Sequence, residues 1–198
     1  MRGTRGFTLV ELLVVTAIIV VVTSVVLANN NRFGGIVQLE SLAYDIGLSI
    51  RQAQVYGISV QRFGSSTFSA GYGMHFALSS PNTYVLFADS AGTGIFDPAQ
   101  NASEIVQQTT IAQGYKISDL CVTPPQTGAS EICGVGSVDV IFVRPEPDAW
   151  ISNAGASCVV DTSLCQRALR ITVVSPRGER MDIVVEANGQ ISVRRTSS

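Results

Sequence analysis

The sequence predicts an α+β protein: one long N-terminal helix, its first half of membrane-spanning length, packed on antiparallel β-sheets. Three observations carry this expectation. Residues 7–28 form an apolar run whose only charge is Glu11. Apolar residues return at helical spacing from Leu39 to Ala53. Beyond residue 58 the chain reads as short β-branched and aromatic runs between turn clusters.

The 198 residues suffice for such a helix plus one soluble domain of ordinary size. As a helix, residues 7–28 extend about 33 Å, against a bilayer core of roughly 30 Å. An ionised side chain inside a span costs about 2.5–3.5 kcal/mol on insertion scales, so Glu11 asks for a partner. A free α-amino group would serve. Residues 1–6 are polar and basic, with Arg2 and Arg5, and a cut between Gly6 and Phe7 leaves an amine four residues from Glu11. Basic residues ahead of the span keep the N-terminus in the cytoplasm and place everything after about Asn29 outside. A secretory signal fits less well. Its apolar core of about 7–15 residues ends in an Ala-x-Ala-like site, whereas this run is longer, carries an acid and ends in Asn29-Asn30-Asn31.

The helix is expected to continue over 29–57. Leu39, Leu42, Ala43, Ile46, Ile50 and Ala53 make one apolar stripe, and Gly57 suits a C-terminal cap. Gly34-Gly35 leaves a break into two helices open. The remainder, 58–198, is expected to be an exported β-rich domain. Strands are predicted over 58–63, 71–78, 84–88, 138–143, 168–174, 181–186 and 190–194. Pro176-Arg177-Gly178 joins two of them, and Asn188-Gly189 is the dipeptide favoured in two-residue type I′ hairpins. The stretches 121–136 and 146–166 read as long loops.

Arg-Gly-Phe-Thr-Leu-Val-Glu-Leu, residues 5–12, resembles the cleavage and methylation signature of type IV prepilins and type II secretion pseudopilins. The resemblance implies a leader over 1–6, a transmembrane and assembly helix over 7–28, and cleavage after Gly6 by a prepilin peptidase that N-methylates Phe7. It implies that Glu11 meets the Phe7 amine of a neighbouring subunit on an inner-membrane assembly platform. The protein would then sit in the bacterial inner membrane as a single-pass subunit, its exported domain periplasmic or extracellular in the filament. The helix over 41–57, a following strand and Gly71-Tyr72-Gly73-Met74-His75-Phe76 resemble, more diffusely, the H-type minor pseudopilins and the FimT-like minor pilins, which carry a helix packed on antiparallel sheets.

Removing the leader leaves 11 basic residues against 15 acidic ones, a formal net charge of −4. Such a balance argues against a surface that grips nucleic acid throughout. Cys121, Cys133, Cys158 and Cys165 lie in the exported part, and four cysteines permit three pairings. The local one, Cys121 with Cys133 and Cys158 with Cys165, is favoured because each encloses a polar, turn-rich loop. A zinc site is the rival, but no Cys-x-x-Cys is present and the lone histidine, His75, is distant in sequence.

No nucleophile and base can be paired around one histidine inside an apparent strand, and no phosphate loop or metalloprotease helix is present, so no enzyme and no cofactor are expected. Asp89, Thr93 and Asp97 make a weak calcium candidate with Gly94 at the sixth place. Ala91 holds the third place and Gln100 the twelfth, so the bidentate carboxylate is missing unless Glu104 folds back. A polar turn is the simpler reading. Arg194 and Arg195 are a weak DNA candidate, helped by Arg177 and Arg180. DNA-capturing FimT-like proteins carry arginines soon after a C-terminal glycine; here Gln190 and Ser192 stand where those would be expected.

Overall fold

The computed structural model describes residues 6–59, 71–97, 104–112 and 114–196, those of 28–34 by backbone alone. The chain divides into two compact units, Met1–Gln38 and Leu39–Ser198. Helix α1, Leu9–Ile58, belongs to both and runs through Gly34-Gly35. In the first unit every side chain from 9 to 27 is exposed. Leu9–Leu27 is long and apolar enough to cross a membrane.

The second unit holds two five-stranded antiparallel sheets. The first comprises β1 (Gly71–Ala77), β2 (Thr83–Asp89), β3 (Ile105–Thr110), β6 (Ser137–Phe142) and β7 (Ala149–Asn153), in the order β3-β2-β1-β6-β7. The second comprises β4 (Lys116–Thr123), β5 (Ile132–Cys133), β8 (Ala168–Val174), β9 (Arg180–Glu186) and β10 (Ile191–Arg195), in the order β10-β9-β8-β4-β5. Both sheets and the second half of α1 share one core. Leu39, Ala43, Ile46, Ile50 and Ala53 recur every three or four residues and are buried against Met74, Phe76, Leu120, Val140, Ile171 and Ile183. The stripe buries because that spacing keeps one side of a helix apolar. On the sheets, alternation sends Leu169, Ile171 and Val173 inward and Arg170 and Thr172 outward.

Two contacts lock α1 onto the sheets. Gln54 Nε2 donates to the carbonyls of Pro147 at 2.9 Å and Gly189 at 3.1 Å. Gly57 brings the end of the helix against the Phe142 backbone so closely that a Cβ there would overlap the Phe142 carbonyl oxygen.

Several sequence expectations are corrected. Ile58 ends α1 instead of opening a strand, and 60–63 fall outside the described residues. The stretches read as loops contain β5 and β7, and Cys121 lies within β4. The Asn188-Gly189 connection is a three-residue loop: Glu186 N–H donates to the Gln190 carbonyl at 2.9 Å, and Gly189 N–H donates to the Glu186 carbonyl at 2.8 Å. Type I′ needs positive φ at both central residues, and only Gly189, at φ 80°, has it. Ala187 is already held by backbone bonds to Arg167 and Ala149, so it cannot pair across the hairpin as the last strand residue.

Ile46→Ala should cost about 2–5 kcal/mol, because it opens a cavity between the helix and both sheets. Gly57→Ala should cost about 1–3 kcal/mol, since its clash is with backbone that cannot rotate away. Urea unfolding followed by the fluorescence of the single tryptophan, Trp150, measures both.

Candidate functional site

The N-terminal segment is built around one helix start. Gly6 and Phe7 precede the helix and are exposed. Thr8 then caps it: the Glu11 N–H donates to Thr8 Oγ1 at 3.3 Å, and the Leu12 N–H to the Thr8 carbonyl at 3.2 Å. Thr8-x-x-Glu11 is the spacing of a capping box, and a carboxylate in the first turn suits the positive end of the helix dipole. Glu11 thus stands in the first turn, one turn from Phe7 in sequence. Thr8 is a residue the sequence reading passed over, although the threonine-x-x-glutamate spacing was there to be read.

The four cysteines form two disulfides, Cys121–Cys133 and Cys158–Cys165. The first is not a loop staple. Cys121 and Cys133 are direct cross-strand partners of β4 and β5, so the bond ties a two-residue edge strand to its sheet. Arg170, opposite Cys121 on β8, lies over the pair, its Nη2 at 3.1 Å from Cys121 Sγ and 3.4 Å from Cys133 Sγ. Its Nε donates to Glu131 at 2.9 Å. That bond to Glu131 raises the guanidinium's pKa above its ordinary value, offset in part by burial. The second disulfide closes a short loop whose 3₁₀ turn, Thr162–Leu164, is capped by Asp161 accepting from Ser163 N–H at 2.9 Å. The Ser163 hydroxyl, donating at 2.7 Å, and then its N–H hold the exposed Asp161 carboxyl below its usual range.

Among the calcium candidates, Asp89 already uses both oxygens on its own turn. Oδ1 accepts from the Thr93 N–H at 2.9 Å and Oδ2 from the Gly94 N–H at 2.8 Å. Thr93 Oγ1 donates to the Ile95 carbonyl at 3.2 Å. Glu104 is buried and accepts from Ser90 Oγ at 3.0 Å. The loop is organised as a capped turn, with Gly94 at φ 71° seated against Val159. Gln100 falls outside the described residues.

Arg194 and Arg195 are exposed neighbours on β10, an edge strand. Successive strand residues point to opposite faces, so the two do not present a single cationic surface. Arg194 sits opposite Asp182 in register. His75 lies on β1 with a partner that no sequence pattern marks: Nδ1 is 2.7 Å from Oδ1 of the buried Asp139 on β6.

A family model of the prokaryotic N-terminal methylation motif matches residues 1–27. The chain is thus type IV prepilin-like at its N-terminus, and its apolar helix followed by two antiparallel sheets is an α+β, type IV pilin-like arrangement. That motif points to a structural, membrane-anchored subunit processed by a prepilin peptidase and assembled with other pilin subunits. No curated protein and no solved structure matches the chain.

Peptide mapping without reductant should recover Cys121 linked to Cys133 and Cys158 linked to Cys165. Replacing Cys121 and Cys133 together by Ala should lower stability by about 2–3 kcal/mol through the lost crosslink, with the helix signal retained in circular dichroism.

Proposed function

We propose that this chain is a minor structural subunit of a type IV pilus or type II secretion pseudopilus, cleaved after Gly6, N-methylated at Phe7 and assembled through α1. The observation that supports it most is the coincidence of the methylation motif on 1–27 with an apolar helix exposed over its whole length from 9 to 27. Exposed apolar surface on this scale needs lipid before assembly and neighbouring helices after it. Within the second unit, Tyr44, Leu48 and Val55 are exposed and share one face of α1 at spacings of four and seven residues.

In the filament, Glu11 of one subunit pairs with the Phe7 amine of the next. A desolvated pair adds little net stability, but a mispaired charge is costly, so the pair acts on register. The diffuse resemblance of the exported domain favours an H-type or FimT-like place in the assembly. Capture of DNA at a filament tip through Arg194 and Arg195 is the alternative. It is disfavoured by the split of the two arginines between faces and by the acidic net charge.

Mass spectrometry of the mature protein should find N-methylated phenylalanine at its start; an intact Met1 or a cut near Ala28 would contradict the reading. Glu11→Leu should insert into the membrane at least as well as wild type, because a desolvation cost is removed. Its incorporation into filaments should fall, as measured by immunoblot of sheared filaments. A gel shift of duplex DNA at low and physiological salt should show at most a weak complex that vanishes at the higher salt.

A further inference from the structure

The outer face of the first sheet carries a row of five residues in direct register across all its strands: Gln108, Val85, His75, Asp139 and Ser152. Residues opposite one another in a ladder share a face. Ser152 and Asp139 are tied to the loops above them. Ser152 Oγ donates to the Gly94 carbonyl at 3.2 Å and accepts from the Cys158 N–H at 2.9 Å. Asp139 Oδ1 accepts from the Phe96 N–H at 3.3 Å and faces His75 Nδ1 at 2.7 Å. A carboxylate only accepts, so Nδ1 carries a proton, and in the neutral form of the ring that leaves Nε2 as an acceptor. The ring is therefore fixed in both tautomer and orientation by a buried group.

His75 lines a cavity of about 300 Å³, together with Ser80, Thr83, Gln108 and Phe96. That is near the lower end for small-molecule sites, roughly 300–1,000 Å³, and suits a ligand the size of one ring. No Asp, Glu, Lys or Arg lines it among the described residues. Phe96 is held by ring contacts to His75, centroids 5.0 Å apart, and to Phe87, 5.4 Å apart. The lining thus combines a fixed acceptor, hydroxyls that donate and accept, an amide that does both, and a positioned aromatic ring.

We propose that this cavity is a binding site for a neutral polyhydroxylated ligand, a single pyranose unit of a carbohydrate. An anion would meet no lysine or arginine and would lie close to the Asp139 carboxylate. An apolar ring would cover the Ser80 hydroxyl and the Gln108 amide without pairing them, which is unfavourable. A cation would find Asp139 already engaged by His75 and Phe96. A pyranose offers hydroxyls that donate to Nε2 and both donate to and accept from the amide and hydroxyls, with a C–H face for the Phe96 ring. The site stands apart from the assembly reading, and no outcome of its test bears on cleavage at Gly6.

Because the chain has one histidine, the imidazole nitrogen resonances report the site without assignment ambiguity. The experiment uses the full chain in lipid nanodiscs free of glycolipid and of sugar-headed detergent. The probes are methyl β-D-galactopyranoside, methyl N-acetyl-β-D-glucosaminide, sodium acetate and cyclohexanol. At least one of the two sugars should shift Nε2 saturably in the millimolar range while Nδ1 moves little. Gln108→Ala, on the exposed edge strand, should leave the sugar-free histidine signals in place and weaken that sugar's binding about five- to tenfold. The proposal is overturned if acetate or cyclohexanol saturates the shift below either sugar, if no probe shifts it, or if Gln108→Ala leaves the sugar's affinity unchanged.

Discussion

The apolar surface of α1 between residues 9 and 27 is the constraint on which the rest depends. At about 25 cal/mol per Å² of apolar surface, exposing a whole helix circumference to water is prohibitive, and no element of the first unit covers it. A helix is the conformation that tolerates lipid on all sides, because its backbone hydrogen bonds are internal. The same uniformity makes the segment indifferent to register, since one aliphatic side chain against a neighbouring helix resembles another. Glu11 breaks that uniformity. In the proposed filament it is the single group in the span whose misplacement carries a large electrostatic cost, so it can set the stagger of helices that packing alone would leave loose.

From Leu39 onward the helix belongs to the second unit and is packed on one side. One stripe, from Leu39 to Ala53, is covered by the inner faces of both sheets, while Tyr44, Leu48 and Val55 remain outside. Gln54 and Gly57 fix the C-terminal end against the Gly189 turn and the Phe142 backbone. The outer faces of the sheets are not passive coverings. One carries Arg170 across the Cys121–Cys133 bond, the other the Asp139–His75 pair beneath the 89–97 turn.

The legible parts of the sequence were those whose pattern is local. Residues 71–78, 84–88, 138–143, 168–174 and 181–186 read as strands because β-branched and aromatic residues buried on the core side dominate them. β3 escaped notice because Ile-Val-Gln-Gln-Thr-Thr is an edge strand with almost every residue exposed, so no burial pattern marks it. In β4, the irregularity between Ile117 and Asp119 breaks the alternation, and Cys121 invited a loop reading though it is buried in the sheet. β7 lies just beyond Pro145 and Pro147, which signalled a loop. The Gly6, Phe7 and Glu11 signature was visible because it falls within six consecutive positions. The His75–Asp139 pair was not: its members are 64 residues apart and meet only through the register of β1 with β6.

The central claim, that Glu11 of one subunit pairs with the Phe7 amine of another, is tested most directly by solid-state NMR on filaments assembled from two preparations mixed in equal amounts. One is labelled with nitrogen-15 and the other with carbon-13, so a transfer between the Phe7 amine nitrogen and the Glu11 carboxyl carbon can arise only between subunits. The account predicts that cross-peak, with nitrogen and carboxylate oxygen within about 4 Å, as in an ion pair. Its absence from mixed filaments, alongside its presence in filaments of uniformly double-labelled subunits, would show the pair to be internal to one chain and contradict the account.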